Sequence, residues 1–390
     1  MPDRESDIEV RVLERISDIN RSDWDECAGT DNPFLCHDFL SSLEESLSVS
    51  AEEGWLPRHI VATDPNGVMA AAMPLYLKGH SQGEYVFDHS WAHAWEKAGG
   101  QYYPKLLSAV PFTPVTGKRF LVRPGLDIAT YENVLVQALL KVVEQTNVAT
   151  LHVNFLTRGE WERMGSLGFL QRSGQQFHWT NANYKTFQDF LDALSSRKRK
   201  NIKKEREAVY KQGVKMSVFT GKSLKSEHWD AFYRFYRNTT DKKWGWDYLK
   251  RPFFSYLHER MPDRVALVMA EYEGEWVAGA LNLIGSDTLY GRNWGCSDNF
   301  KNLHFEACYY QAIEFAIERG LKRVEAGAQG QHKLQRGYLP AQTYSIHYIV
   351  DPNFRRAVED FLERELEAVG EEIEFLEEFS PFKKVSGRLK

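Results

Sequence analysis

An α+β fold in two halves is what this sequence predicts. Its 390 residues exceed what a single core of ordinary size accommodates, at about 150 residues per domain. A landmark also recurs: Gly168-Phe169-Leu170 precedes His178-Trp179, and Gly337-Tyr338-Leu339 precedes His347-Tyr348 at the same spacing. Third, the stretch leading to the second landmark reads as helix, strand meander, helix and strand, an α+β order rather than a regular βαβ alternation.

Taken in chain order, GVMAAAMPLYL from Gly67 is a turn followed by an apolar strand, and GEWVAGALNLI from Gly274 matches it in the second half. LHVNF at Leu151 to Phe155 and RVEAGA at Arg323 to Ala328 are likewise paired strand-like runs. Between its landmarks the first half carries a surplus, residues Gly83 to Gly117, aromatic and loop-like, expected as a substrate-facing insertion. The polar stretch ending at Lys185 marks the boundary, giving domains at 1–182 and 183–390. A helix from near Phe187 puts Phe187, Leu191, Leu194 and Ile202 on one stripe. Beyond a helix at Glu227 to Arg237 come strands Val265 to Tyr272, Trp276 to Ile284 and Thr288 to Trp294, with Glu273-Gly274 and Ser286-Asp287 at the turns. A helix from about His304 to Arg319 ends at Gly320, and an acidic helix from Phe354 to Leu376 is expected to pack on the second half.

Composition narrows the class. Hydrophobic residues at 43% and charged residues at 26% describe an ordinary globular chain. The 49 Lys and Arg against 54 Asp and Glu give a net charge of -5, so a polyanion site has to be local. Four cysteines, Cys27, Cys36, Cys296 and Cys308, form no paired spacing for a disulfide framework or zinc, and no metal is expected. The charged opening residues lack a signal peptide's apolar core, and no segment has the length of a membrane span, so a cytoplasmic location is expected. Oligomeric state is left open.

Several long segments carry a family resemblance: NPFLCHDFLSSLEES from Asn32, GEYVFDHSWA from Gly83, YYPKLLSAVPFTPVTG from Tyr102, SSRKRKNIKKER from Ser195, DTLYGRNWG from Asp287 and EAGAQGQHKLQRGYLP from Glu325. With them the chain resembles, over nearly all its length, the FemAB-like peptidoglycan biosynthesis or recognition group of the GNAT acyltransferase superfamily. The resemblance implies two tandem GNAT-like domains, each a mixed, mostly antiparallel sheet flanked by helices. It implies transfer of an acyl or aminoacyl group to a small-molecule or peptide amine by direct attack. Acyl-CoA enzymes of this fold hold the pyrophosphate in a Gly-rich turn at a helix N-terminus. Here the position reads WGCSDNF: Gly295 is present and the second glycine is absent. Acyl-CoA and aminoacyl-tRNA therefore both stay open as co-substrates, with no tightly bound cofactor expected. The alternative is a non-catalytic module that binds a cell-wall fragment or nucleic acid in a degenerate transferase cleft.

The chemistry is expected in four constellations. Amine acylation needs a base for the ammonium proton and charge stabilisation for the oxyanion. The turn after Glu325 supplies Glu325 or His332 as base, Lys333 or Tyr338 as charge stabiliser and Gln329 as a ligand. Tyr290, Arg292, Asn293 and Trp294 border the acyl cleft; Arg292 on a strand is costly to bury unless an anion meets it. Asp88, His89, Trp91, Tyr102, Tyr103 and Lys105 are expected to line an acceptor pocket; no Gly-x-Ser-x-Gly elbow accompanies the Asp-His pair. Lys198, Arg199, Lys203 and Lys204 form an anion-binding helix face, whose like-charge i,i+4 pairs each destabilise it by about 0.2–0.5 kcal/mol unless an anion offsets them.

Overall fold

The computed structural model describes residues 8–243, 247–327 and 330–383, without the side chains of 240–243. They form two compact units: residues 8–174, 248–253 and 343–369, and residues 175–243, 247, 254–327, 330–342 and 370–383.

The first unit holds β1 (Glu9–Leu13), β2 (Trp55–Pro57), β3 (His59–Thr63), β4 (Met69–Met73), β5 (Tyr76–Lys78), β6 (Lys105–Ser108), β7 (Leu121–Val122) and β8 (Thr150–Asn154). Next come β9 (Leu170–Thr180), which starts in the first unit and ends in the second, and β10 (Lys215–Phe219), β11 (Val265–Tyr272), β12 (Glu275–Ile284), β13 (Thr288–Cys296) and β14 (Arg323–Glu325). The last, β15 (Leu339–Ile349), starts in the second unit and ends in the first.

In the first unit β1, β3, β4 and β7 make an antiparallel sheet. There too β15 pairs antiparallel with β8, β8 parallel with β6, and β6 antiparallel with β5, which pairs β2. The alternating apolar residues of these strands close over helix Ile128–Thr146, whose Tyr131, Leu135, Leu139 and Val142 fill the core with Ile60, Leu106, Leu151 and Val153. In the second unit β10, β11, β12 and β13 form the expected antiparallel meander, β13 pairs parallel with β14, and β14 antiparallel with β9. Its core gathers Trp179, Phe190, Ile202, Leu289, Tyr310, Ile313 and Val324. Each unit thus combines one parallel pair with antiparallel neighbours.

Four sequence expectations change. The boundary between 182 and 183 gives way to the interleaved segments above, because Ser345–Ile349 of β15 hydrogen-bond along β8 and draw the chain after it into the first unit. The last helix, Pro352–Glu378, buries Phe354, Val358 and Leu362 against Trp91 and Tyr102 of the first unit, and only near its end does Leu376 join the core of the second, where the whole helix was expected to pack. The aromatic surplus is not simply a loop, since it contains helix His89–Lys97 and the buried scaffold strand β6. The helix from Phe187 is two helices, Phe187–Ala193 and Ser196–Lys211, separated where Leu194 bridges to Phe382 and the Ser195 N–H donates to the Pro381 carbonyl. Gly320 follows the helix at Gln311–Glu318 in the left-handed conformation, φ 66°, as a C-terminal glycine should. No helix among the described residues is long and apolar enough to cross a membrane.

Candidate active site

The parallel pairing of β13 and β14 stops at Tyr290 and Glu325, while β13 runs on to Cys296. Along that free run the β12–β13 register steps from Asn293 opposite Leu281 to Gly291 opposite Asn282, so Arg292 is the extra residue of a bulge. A bulge re-aims the side chains beside it. The space beyond the end of the pairing is a cavity of about 80 Å³, walled by Asn282, Arg292, Asn293, Trp294, His304 and Tyr309 among others. Cys308 and Ala326 complete part of its lining. Gly291 lies close by: a Cβ there would sit in contact, 3.4 Å from the Asn282 carboxamide and from the Glu325 carbonyl.

Glu325, the last residue of β14, is 4% exposed. Its Oε1 lies 3.9 Å from His178 Nδ1 and 3.6 Å from the Arg323 guanidinium, while Oε2 is buried without a hydrogen-bond partner. Burial pushes its pKa up to about 7 against the lowering pull of Arg323 and Arg292. His178 is no counter-charge at neutral pH, because burial first, with Arg323 and Lys333 adding to it, lowers it to about 3. A carboxyl that titrates near neutrality and has one oxygen unengaged is equipped to accept a proton from a ligand.

Lys333 is 2% exposed; its ammonium donates to the Gly327 carbonyl at 2.8 Å, and burial lowers its pKa to about 8. His332 is exposed and its Nε2 lies 2.8 Å from the Tyr309 hydroxyl. Arg336 holds this turn in place by donating to the His332 carbonyl at 2.8 Å and to Glu205 at 2.8 Å. Tyr338 sits in the core, its hydroxyl donating to the Tyr309 carbonyl at 3.3 Å, and lines no part of the cavity. Tyr290 is buried beside Glu325 in the strand register. Gln329 lies outside the described residues.

The helix that leads into this region, Leu303–Phe305 continued by Gln311–Glu318, contains one π-helical turn at Glu306–Tyr310. Extra-wide turns displace side chains from the ordinary helical rows, and this one brings Cys308 and Tyr309 to the cavity. Buried Glu306 anchors it by accepting from Arg206 at 2.9 Å, Tyr210 at 3.0 Å and Gln311 at 2.8 Å. Helix Ser196–Lys211 therefore spends Glu205 and Arg206 inward and keeps Arg197, Lys200, Lys203 and Lys204 exposed. Lys200 and Lys204 make no ion pair among the described residues, whereas Arg199 is paired with Asp192 at 2.7 Å. Lys198 is half-buried, and desolvation lowers its pKa.

Gly295 has a packing role that the sequence did not disclose. A Cβ there would collide with the backbone carbonyl of Phe235, so glycine lets helix Ser226–Lys243 lie against β13.

The expected acceptor residues lie in the first unit. Asp88, Tyr102 and Lys105 are buried in one network: Lys105 donates to Glu84 at 2.8 Å, to Ser81 at 2.6 Å and to Asp88, and the Tyr102 hydroxyl donates to Asp88 at 2.7 Å. Burial alone would lower the Lys105 pKa; Glu84 and Asp88 hold it above its usual value instead. Most of their polar atoms are directed at one another, but Glu84 Oε1 and Asp88 Oδ1 are buried without a hydrogen-bond partner, and burial pushes the Glu84 pKa up to about 7. Tyr103 donates to or accepts from Ser81 at 2.8 Å, and His89 is exposed against Phe87. Trp91 lines a separate cavity of about 650 Å³ with Trp95, Phe354 and Phe361.

Asn282 and Tyr309 of the lining, and His178 beside Glu325, were not among the sequence candidates. Asn282 was the legible one, a lone amide in an apolar strand; the others depend on the π turn and on β9 reaching β14.

The family model of peptidoglycan biosynthesis or recognition proteins of the FemAB-like type matches residues 15–384. Among solved structures, the chain is similar to FemX, with a TM-score of 0.55 at 11% identity over 90% of this chain and 100% of that one. It is also similar to L-PGS from Bacillus licheniformis, with a TM-score of 0.51 at 11% identity over 85% of this chain and 98% of that one. A protein of unknown function from Bacteroides thetaiotaomicron gives 0.51 at 12% identity over 88% and 100%. No curated protein sequence matches. At these identities the structural likeness establishes the fold alone, the expected α+β arrangement. The family match, spanning most of the chain, establishes the rest: this protein belongs to the FemAB-like family.

Proposed function

We propose that the protein is a transferase that moves a small acyl or aminoacyl group onto an amine, with the reacting centre where β13 and β14 part. One observation carries this reading: the Glu325 carboxyl is buried at that point with Oε2 unpartnered and a pKa of about 7. In its ionised form Glu325 takes a proton from the acceptor ammonium; the neutral nitrogen then adds to the donor carbonyl and forms a tetrahedral oxyanion. Arg292, which lines the cavity, supplies positive charge there, and Lys333, a buried ammonium near pKa 8 outside that lining, adds to it. As the C–O or C–S bond of the tetrahedral adduct breaks, the nitrogen sheds its second proton, which passes by way of Lys333 to the leaving group, and Glu325 retains the first. Glu325 is favoured over His332 as base because His332 is exposed and engaged by Tyr309.

The cavity of about 80 Å³ suits a transferred group of a few heavy atoms, such as acetyl, glycyl or alanyl. Acyl-CoA and aminoacyl-tRNA both provide such groups. The exposed Lys200, Lys203 and Lys204, together with the packing role of Gly295, support the tRNA ester. Incubation with acetyl-CoA, and separately with glycyl- and alanyl-tRNA, each with a peptide amine, tests the reading by mass spectrometry of the acylated product. Product from one donor class, lost in Glu325→Gln, supports it. No product from either class, or an undiminished rate in Glu325→Gln, refutes it.

A further inference from the structure

β1 stands at the end of its sheet: its inner edge pairs with β3, and among the described residues no strand pairs with its outer edge. Glu9, Val10, Arg11 and Val12 are all exposed. Exposed strand edges are templates for pairing, and natural chains usually blunt them. Here Ile8, Val10 and Val12 share one face and line a groove of about 610 Å³, whose other wall is Val134, Ala138 and Val142 of helix Ile128–Thr146. Glu9 and Arg11 share the opposite face, and neither makes an ion pair among the described residues.

This pattern reads the same from both ends. When two β1 strands are laid antiparallel with Val10 opposite Val10, Ile8 faces Val12 and Glu9 faces Arg11, twice each. One face of such a ribbon is wholly apolar and extends both grooves; the other carries two cross-strand ion pairs of opposite sign. Registers shifted by one residue place apolar and charged side chains on the same face and lose both features. We propose that the outer edge of β1 is a self-association surface, on which a second copy of this chain docks to form an isologous antiparallel dimer centred on Val10. A five-residue strand and its groove make a small interface, so the dimer dissociates in about the micromolar range rather than being obligate.

Charge reversal tests this on the full chain by sedimentation equilibrium. Glu9→Arg places Arg opposite Arg, and Arg11→Glu places Glu opposite Glu; each single variant should weaken dimerisation by about ten-fold or more. The double variant restores both pairs in reverse and should recover the wild-type constant. All four side chains involved are exposed, and unchanged circular dichroism and melting temperature confirm that folding is not what is measured. A wild-type chain that stays monomeric to hundreds of micromolar, or a dimer indifferent to the single reversals or not recovered by the double, overturns the proposal. A monomer whose β1 amides are protected from exchange overturns it in favour of cover by the chain's own leading residues.

Discussion

Replacing Glu325 by Gln should make the protein more stable, and increasingly so as pH rises. In the folded state the carboxyl titrates near 7, against 4.5 as its reference. A raised folded pKa means that the native state holds the proton more tightly, so its stabilising contribution is present below pH 4.5, is lost between 4.5 and 7, and is absent above 7. At about 1.4 kcal/mol per pKa unit the loss is about 3 kcal/mol. Glutamine keeps the shape and has nothing to ionise. Comparing wild type with Glu325→Gln at pH 5 and pH 8 by calorimetry, the variant should gain roughly 6–12 °C in the melting temperature of the second unit at the higher pH relative to the lower. Parallel pH profiles for the two proteins would show that Glu325 is not a buried, charge-averse carboxyl, and the argument for it as a base would fail.

Other expectations follow from neighbouring residues. Cys308→Ala should retain transfer, because direct attack needs no covalent intermediate even though Cys308 lines the cavity; accumulation of an acyl-enzyme in wild type, detected by mass spectrometry, would contradict this. Gly295→Ala should cost about 1–3 kcal/mol through the collision with the Phe235 carbonyl; an unchanged melting temperature would remove that packing role. Replacing Lys200, Lys203 and Lys204 by Gln should reduce the salt slope of tRNA binding by about 2–3, while Arg199→Gln, already paired with Asp192, should change it little; equal effects would deny that the exposed lysines make the contact.

Local pattern made much of the fold legible. The meander from Val265 to Cys296, the glycine stop at Gly320 and the repeated landmark at Gly168 and Gly337 were all readable because period-two alternation and turn residues are local signals. The landmark strands are β9 and β15, of equal length. That each passes from one unit into the other is a long-range pairing, which no local pattern encodes; hence the boundary was misplaced and the first-unit packing of the last helix's leading turns was missed. The site was half legible. Glu325, Lys333 and Arg292 could be chosen as titratable groups near glycine-rich turns, but the burial that sets their pKa values could not. Asp88, Tyr102 and Lys105 were chosen for a chemistry that is the same whether directed at a ligand or at one another; their hydrogen bonds run largely among themselves and leave Asp88 Oδ1 and Glu84 Oε1 without a partner.

Glu325 is the proposed proton acceptor for the incoming amine, and the pH dependence of transfer measures that role directly. With the productive donor and saturating amine, the wild-type rate should rise with an apparent pKa near 7 on its acidic limb. Glu325→Gln should lower the rate by about 10²-fold or more and abolish that limb. A limb that persists unchanged in the variant, with the rate intact, would place the base elsewhere.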